Sequence, residues 1–376
     1  MDNFQTYQVI PTFPDQLSFL EVLSRNLWWC WKPDAVALFN RIDSDLWEES
    51  GRNPILFSTL ISQKRLYELA NDDSFLAHIQ RVKDRFEKRI LAPVDRSKSP
   101  YGQEGVIAYF SMEFGIHESL PLFAGGLGIL AGDHLKSASQ MALPVVGVGL
   151  LYQYGYFRQF LDKDGWQQEE YPETDLYNLP LERVKDPSGK EVSISVDGPE
   201  GEIHAEVWKL DIGRIPLFLL DTNLTENSPQ GRDITSSLYA GGPKIRLAQE
   251  VMLGVGGMRA LEAMGLCQKV CHMNEGHCAF AALERLAQII SVYSVDLKTA
   301  LEIVPRTTVF TTHTPVAAGY DEFPADLVMP YLRPMQKYLG VTDKEILSWG
   351  QSVESGPDGP FSMFILGLRL AQHCNG

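Results

Sequence analysis

From Val106 onward, the sequence alternates short apolar segments with longer amphipathic ones, and this alternation constrains the fold more than any other feature. The segments with the length and composition of buried strands are VIAYFSM, LPVVGVGLLYQ, EIHAEVWKLDI, RIPLFLLDT, KVCHMN and TTVFTTH. The segments with helical periodicity are GGLGILAGDHLKSASQMA, residues 244–264 and HCAFAALERLAQII. Alternating strands and helices are typical of a parallel, doubly wound sheet with helices on both faces. We therefore predict an α/β fold for this part of the chain.

The first 96 residues differ from the rest, because they contain only helical patterns. QLSFLEVLSRNLWWCW and DDSFLAHIQRVKDRFEKRI are amphipathic, and Asp72 or Asp73 can cap the second helix. Residues 92–105 are punctuated by Pro, Gly and Ser, which is typical of a linker. A chain of 376 residues also exceeds the usual size of one hydrophobic core. We predict a small helical domain at 1–96 and a second domain at 97–376.

Three tryptophans, Trp28, Trp29 and Trp31, lie close together in the helical part. Tryptophan rings can stack on sugar rings, and such a cluster would then bind a glucan. A dense aromatic cluster on an amphipathic helix more often forms the core of a small helical domain. We therefore expect these rings to pack inside the protein.

Charge and composition exclude several classes of partner. The net charge of −15 disfavours nucleic acid and anionic membranes, which both require a basic surface. No apolar stretch approaches the roughly 20 residues of a membrane helix, and the first residues do not resemble a secretory signal. The five cysteines are few and odd in number, which fits a reducing compartment. We expect a cytoplasmic protein.

Ligands of doubly wound sheets bind beyond the carboxyl ends of the strands, so the residues that follow each strand are candidates for a site. The first candidate is the turn Gly125-Gly126-Leu127-Gly128, which begins a helix. Free N–H groups and the helix dipole favour an anion such as phosphate at this position. The spacing is neither that of a dinucleotide-binding turn nor that of a P-loop. An ordinary tight turn explains the glycines equally well.

Two further strand ends carry polar residues. His272–His277 follows one strand, and Thr311-Thr312-His313-Thr314 follows another, where side chains can contact the hydroxyl groups of a ligand. For His313, a buried histidine bonded to the backbone is the alternative. A metal site is a weaker alternative for the set Cys267, Cys271, His272, His277 and Cys278, because adjacent strand residues point to opposite faces and no CxxC pair exists. We expect no metal.

The acidic segment Gln167–Asp175 could supply the paired carboxylates of a glycosidase. Its position in a predicted hairpin or surface loop favours a solvated run of charge instead. The last segment, PFSMFILGLRLAQHCNG, has helical periodicity and is expected to be a helix that ends at Asn375-Gly376.

Three blocks of the sequence closely resemble the α-glucan phosphorylase family. They are AYFSMEFGIHESLPLFAGGLGILAGDHLKSASQMALPVVGVGLLYQYGYFRQ, HMNEGHCAFAALERL and FTTHTPVAAGYDEFP, and their order and spacing also agree with the family. The helical residues 1–96 resemble the extra domain of the bacterial and archaeal branch. The resemblance covers essentially the whole chain and corresponds to the N-terminal half of such an enzyme.

The resemblance implies a GT-B fold, in which two Rossmann-like domains face each other across a cleft, and this chain would hold the first. It implies phosphorolysis of the terminal α-1,4 link of a glucan by inorganic phosphate, giving glucose 1-phosphate with retained configuration. It also implies pyridoxal phosphate as the cofactor, bound to a lysine of the second domain. That segment has no counterpart here, so we expect the 376-residue chain to be inactive alone. Assembly into a homo-oligomer is left open.

Site residues follow from the resemblance position by position. Gly125, Gly126, Leu127 and Gly128 match the segment that contacts the substrate phosphate and the sugar, and Gly126 also matches a position near the cofactor. Tyr109 matches an aromatic residue beside the cofactor. His313, with Thr314 behind it, matches the histidine that contacts the glucosyl unit, and His277 would support this site. Asn274 and Glu275 match a polar pair near the sugar, where the commoner eukaryotic form has Asp in place of Glu.

Two other functions stay open at the level of sequence. Glycogen and starch synthases share the GT-B fold and a glycine-rich first helix, but they use a nucleotide-sugar donor and no pyridoxal phosphate. The blocks YFSMEFG and GDHLKSAS favour a phosphorylase. The second alternative is a non-catalytic glucan-binding module that would use the tryptophan cluster.

Overall fold

The structure is a computed structural model that describes residues 10–97, 104–239, 241–313, 319–354 and 356–376. Its first part is helical. The helices are α1 (Phe19–Arg25), α2 (Pro33–Ile42), α3 (Ser44–Glu49), α4 (Pro54–Leu60), α5 (Gln63–Ala70) and α6 (Asp73–Phe86), with short 3₁₀ turns at Asp15–Leu17 and Leu27–Trp31 and a π-helical turn at Glu87–Leu91. Asp72 caps α6, because its carboxylate accepts a hydrogen bond from the Phe75 N–H at 3.0 Å.

The tryptophan cluster lies in the core of this helical part. Trp28 and Trp29 are 2% and 1% exposed. The Trp29 ring packs edge-on against Phe39 and Trp47 at centroid distances of 5.5 and 5.7 Å. Trp31 is partly buried against the same core. The prediction that these rings pack inside the protein is confirmed.

The rest of the chain is built on strands β1 to β13. They are β1 (Val106–Phe110), β2 (Val145–Leu150), β3 (Arg158–Leu161), β4 (Gln167–Glu170), β5 (Glu182–Arg183), β6 (Ser193–Gly198), β7 (Gly201–Ile212), β8 (Ile215–Asp221), β9 (Gln268–Asn274), β10 (Thr308–Thr311), β11 (Glu322–Phe323), β12 (Phe361–Ser362) and β13 (His373–Asn375). The helices between and after them are α7 (Gly126–Gln140), α8 (Pro229–Arg232), α9 (Gly242–Val251), α10 (Gly257–Ala263), α11 (Phe280–Tyr293), α12 (Leu297–Arg306), α13 (Ala325–Leu339), α14 (Asp343–Ser348) and α15 (Met363–Arg369).

The main sheet has nine strands in the order β13-β10-β9-β1-β2-β8-β7-β5, with β6 paired to β7. All neighbours from β13 to β8 are parallel. Strand β7 runs antiparallel to β5, β6 and β8, and it forms a hairpin with β8. The α/β fold is thus confirmed, and the antiparallel strands at one edge extend the predicted parallel sheet.

Strand β1 is the point at which the order of the strands reverses. The chain passes from β1 to β2 on one side and later returns to β9 on the other side, so β1 pairs with both. In open α/β sheets, this reversal opens a crevice beyond the carboxyl ends of the strands. The residues after β1 and β9 therefore border the crevice in which a ligand would bind.

The helical part rests directly on the edge of the sheet. The Asn26 side-chain amide donates to the Gly213 carbonyl at 2.9 Å and accepts from the Gly213 N–H at 3.0 Å. The Arg214 guanidinium donates to the Arg89 and Ala92 carbonyls at 2.7 and 2.8 Å. Buried apolar residues continue from the helices into the sheet as one core. The boundary between 1–96 and 97–376 stays a prediction.

Three segments test the secondary structure that was predicted from local sequence patterns. The acidic segment 167–170 forms an exposed hairpin with 158–161, as predicted for a solvated run of charge. The predicted helix at 244–264 is continuous, with a π-helical segment at Met252–Gly256 between α9 and α10. The predicted helix at the last residues is wrong beyond Arg369, because residues 373–375 form β13 and pair with 309–311 of β10. Among the described residues, the helices are too short or too polar to cross a bilayer.

Candidate active site

The first wall of the candidate site is the start of α7. Gly125 and Gly126 are exposed, and a Cβ added at either would meet no heavy atom within 4 Å. The first N–H groups of a helix have no partner within the helix, and no side chain caps α7. Packing within this chain therefore does not require glycine at these two positions. The turn is open to an incoming group, as the sequence predicted.

Gly128 and Gly132 serve a different purpose. A Cβ on Gly128 would lie 2.4 Å from the Phe123 Cβ, and one on Gly132 would lie 2.1 Å from the Gly115 carbonyl oxygen. Both distances are far below van der Waals contact. These glycines allow α7 to pack closely against the segment that follows β1.

The glycine turn is held by Glu113, a carboxylate only 3% exposed. Its Oε2 atom accepts hydrogen bonds from the N–H groups of Ala124 and Gly125 at 2.8 and 3.2 Å. Its Oε1 atom accepts from the hydroxyl of Tyr239. The amides of Ala124 and Gly125 are thus occupied, so an anion would meet the later amides of the turn.

The second wall comes from the ends of β9 and β10. The Asn274 Oδ1 and His313 Nε2 atoms lie 2.7 Å apart, and the Asn274 amide donates to the Ser111 Oγ at 3.2 Å. Since the amide oxygen can only accept, this arrangement places a proton on the His313 Nε2. The Glu275 carboxylate accepts from the His313 N–H and contacts the Thr312 Oγ1 at 3.3 Å. The three predicted residues Asn274, Glu275 and His313 therefore form one network.

Glu275 has φ 74° and ψ 167°, a conformation that is rare for residues with a side chain. Such a conformation costs on the order of 1–3 kcal/mol and persists only where surrounding contacts hold it. Here the Glu275 N–H donates to the Thr311 carbonyl at 2.8 Å, while its side chain holds His313. Both contacts fix the chain beyond β9 against the chain beyond β10.

His277 is buried beneath the same network. Its Nε2 atom accepts a hydrogen bond from the Met112 N–H at 3.2 Å, which requires the unprotonated nitrogen. Burial, reinforced by the Arg246 charge, lowers the pKa of His277 to about 3. The ring is therefore neutral at physiological pH and accepts a hydrogen bond from the chain that follows β1.

Arg246 adds a charge network to the site. Its guanidinium lies 3.0 Å from the Glu250 carboxylate and 2.8 Å from the Asp321 carboxylate. Glu250 is fully buried, and burial raises its pKa well above the usual value, whereas Arg246 and Glu250 together lower the pKa of Asp321 against its own burial. The Arg246 charge is thus compensated by Asp321 and leaves little surplus for a phosphate.

These walls enclose a cleft of about 680 Å³. Its lining includes Leu127, Tyr239, Arg246, Glu275, His277, His313 and residues 319–323. The volume lies within the range of about 300–1,000 Å³ that is typical of small-molecule sites. Leu127 of the glycine turn and His313 face the same cleft, which brings together the two strand ends that the sequence singled out.

Tyr109 does not line this cleft. It is 3% exposed, and its ring packs against His134 and His272 at centroid distances of 4.5 and 4.9 Å. The His272 Nε2 lies 2.8 Å from the Thr311 Oγ1. Burial lowers the pKa of His272 to about 4. Thr314 lies outside the described residues. In the described part of the chain, no group of three His, Cys, Asp or Glu side chains is placed to hold a metal ion.

Comparisons with known proteins show which families this chain resembles. Residues 116–200 match a family model described as carbohydrate phosphorylase, and residues 13–120 match one described as a protein of unknown function (DUF3417). A glycogen phosphorylase of Mycobacterium tuberculosis is 40% identical over 100% of this chain and 45% of that protein. The similarity is thus to α-glucan phosphorylases, and it extends over the whole chain. A maltodextrin phosphorylase of Thermococcus litoralis is 38% identical over 98% of the chain and 43% of that protein.

The chain spans about half the length of the curated relatives that it matches. The glycogen phosphorylase of Aquifex aeolicus, 33% identical, is covered to 50% of its length. The predicted family, and the prediction that the chain corresponds to the N-terminal half of such an enzyme, are thus confirmed. These names favour a phosphorylase over the synthase alternative.

Three polar residues of the candidate site were not anticipated from the sequence. Glu113, Tyr239 and Arg246 bring the glycine turn and the cleft wall together across long sequence separations. For Glu113 a signal existed, because a carboxylate in the apolar run after a buried strand requires a partner. For the contacts of Tyr239 with Glu113 and of Arg246 with Asp321 the sequence offers no comparable signal, since these partners are distant in the chain.

Proposed function

We propose that this chain forms one half of the active site of an α-glucan phosphorylase and that its cleft holds the terminal glucose unit. The observation that carries the proposal is that His313 and Glu275, joined to the buried Asn274 in one hydrogen-bond network, line the same cleft as Leu127 of the glycine turn. In the proposed reaction, inorganic phosphate cleaves the terminal α-1,4 link of a glucan and yields glucose 1-phosphate.

The chemistry of the cleft favours a neutral sugar. Glu275, Asp321 and Glu322 contribute carboxylates, while the Arg246 charge is already paired. Hydroxyl groups of a sugar can donate to carboxylates and accept from N–H groups, so a polar cleft without surplus positive charge suits them. With its Nε2 proton directed to Asn274, His313 has the Nδ1 atom left to accept a hydrogen bond.

The phosphate groups would meet the glycine turn. The open faces of Gly125 and Gly126 would admit a phosphate oxygen without a clash, and the helix dipole of α7 favours negative charge there. Pyridoxal phosphate, which the family resemblance implies, would approach the same turn, where Gly126 would face its phosphate. The ring of Tyr109 is buried against His134 and His272 and does not reach the cleft. When bound, the cofactor would supply a phosphate that exchanges a proton with the substrate phosphate. The chain's own contribution is to bind, to orient and to stabilise charge.

The sugar site is tested by titrating the chain with maltoheptaose in an isothermal titration calorimeter. His313→Ala removes the group between Asn274 and the cleft, and we expect at least a tenfold weaker affinity, which is about 1.4 kcal/mol. His204→Ala is the matched control, because His204 is a half-exposed histidine on β7. Equal affinities for wild type and His313→Ala would refute the proposed sugar site.

Activity is a separate question. We propose that the chain binds a glucan but releases no glucose 1-phosphate by itself, because the family's cofactor lysine has no counterpart among its motifs. The assay is phosphate-dependent release of glucose 1-phosphate from maltoheptaose, with and without added pyridoxal phosphate. Release by the chain alone would show that the cofactor residues are present in it after all.

A further inference from the structure

A second hollow, remote from the cleft, lies where the helical part meets the sheet. It has a volume of about 360 Å³, and we name it the basic pocket, after its lining by Lys32, Arg85, Arg89, Trp28, Ser139 and Gln140. An adjoining hollow of about 370 Å³ shares Arg85 and Arg89 and adds two cations, Arg81 and Lys88, and one carboxylate, Asp84. Neither hollow has a role in the proposed phosphorolysis.

The positive charge of the basic pocket is largely unpaired. Within the described part of the chain, neither Lys32 nor Arg89 lies within 4 Å of a carboxylate oxygen, and Arg85 has only Asp34 at 3.4 Å. Residues 81–89 contain five basic and two acidic residues, in a chain whose net charge is −15. Burial, followed by the charges of Arg85 and Arg89, lowers the pKa of Lys32. Three cations that repel one another at a concave surface are stabilised by a bound anion.

The cations of the basic pocket lie at a helix start and in a π-helical turn. Lys32 is the residue immediately before α2, whose first residue is Pro33, and it lines the pocket from there. Arg89 lies in the π-helical turn Glu87–Leu91, and π-helical turns are frequently found at functional sites. The Arg214 guanidinium anchors that turn through the Arg89 and Ala92 carbonyls.

The end of α7 also lines the basic pocket, through Ser139 and Gln140. Ser139 of α7 is 1% exposed, and its Oγ accepts from the Arg214 N–H at 2.9 Å. Trp28, which is 2% exposed, also lines the pocket. A ligand in this pocket would therefore contact helices α2, α6 and α7 at once.

We propose that the basic pocket binds a compact phosphorylated metabolite, whose phosphoryl oxygens are held by Lys32, Arg85 and Arg89. Arginine guanidinium groups match phosphate geometry, and charge-assisted hydrogen bonds are about twice as strong as neutral ones. The volume lies at the lower end of the range for small-molecule sites, about 300–1,000 Å³, which suits a sugar phosphate. The adjoining hollow offers a second phosphoryl group the cations Arg81 and Lys88. This site is independent of the proposed phosphorolysis.

The probe is fructose 1,6-bisphosphate, titrated into the chain by calorimetry at constant ionic strength, with fructose as the neutral control. We expect binding of the bisphosphate and none of fructose. Lys32→Gln and Arg89→Gln should each weaken this binding at least tenfold, because each removes a charged donor to phosphate. Both side chains are at least partly solvent-exposed, so both variants should fold, which far-UV circular dichroism can verify.

Lys83→Gln is the matched control, because Lys83 lies on the same helix, α6, outside both hollows. Its affinity for the bisphosphate should equal that of wild type. His313→Ala should also bind normally, which separates this site from the cleft. Absence of binding to wild type, or equal binding by Lys32→Gln, Arg89→Gln and wild type, would overturn the proposal.

Discussion

The carboxylate of Glu113 is the best place to test how the glycine turn is held. In Glu113→Ala, the Ala124 N–H loses its acceptor at 2.8 Å and the Tyr239 hydroxyl loses its own, while the exposed Gly125 amide can turn to water. A hydrogen bond to a charged group contributes about 1.5–3 kcal/mol. Two such losses give an expected destabilisation of about 3–6 kcal/mol. Glu113→Gln keeps an acceptor oxygen, and we expect a loss of only about 1 kcal/mol.

Two measurements check this expectation. Urea unfolding, followed by tryptophan fluorescence, gives the stability difference, and amide hydrogen exchange of residues 113–130 shows whether the turn itself opens. Glu118→Ala is the control, because Glu118 is a surface carboxylate that pairs with Arg52 at 3.4 Å, and its loss should cost less than about 1 kcal/mol. If Glu113→Ala unfolds like wild type and the exchange of the turn is unchanged, the carboxylate does not hold the turn.

Two further predictions concern packing and pH. Gly132→Ala should lower stability by about 1–3 kcal/mol, since its Cβ would lie 2.1 Å from the Gly115 carbonyl. Gly126→Ala should not destabilise the fold, because its Cβ would meet no heavy atom within 4 Å. Thermal melting compares the stability of the two variants. The unfolded chain protonates its histidines near the usual pKa of 6.5, but His277 and His272 resist protonation down to pKa values of about 3 and 4. Stability should therefore fall as the pH drops from about 6.5 towards 3, by up to about 1.4 kcal/mol per pH unit for each histidine. His277→Gln should show a shallower slope in urea unfolding between pH 7 and pH 4, and an unchanged slope would contradict the assignment.

The sequence predicted the parts of the site that depend on local pattern. Apolar strands followed by polar residues placed Asn274 and His313 at the carboxyl edge of a parallel sheet, because strand direction alone determines that edge. The glycines before α7 likewise predicted an open helix start. Which glycines face a ligand and which face packing could not be predicted, since the close approach of Gly132 to Gly115 depends on tertiary contacts.

The end of the chain shows the limit of periodicity. Residues 363–369 follow the helical pattern and form α15. His373, Cys374 and Asn375 instead form strand β13, which pairs with β10 at the edge of the sheet. Backbone hydrogen bonds to β10 were available there, and three residues are too few to show a period. The basic pocket could not be predicted from the sequence for a related reason. Lys32 and Arg89 are 57 positions apart and come together only through the packing of α2 on α6.

The double hydrogen bond between Asn26 and Gly213 has a practical consequence for anyone who divides this protein. Gly213 is the tip residue of the β7–β8 hairpin, and its N–H and C=O are both satisfied by one side chain from the helices. A truncation that starts near residue 97 would strip that partner away together with Trp28 and Ile90, leaving apolar sheet surface bare. Such a shortened protein should aggregate during expression, so boundaries for recombinant work are better chosen upstream of residue 15 than between the helices and the sheet.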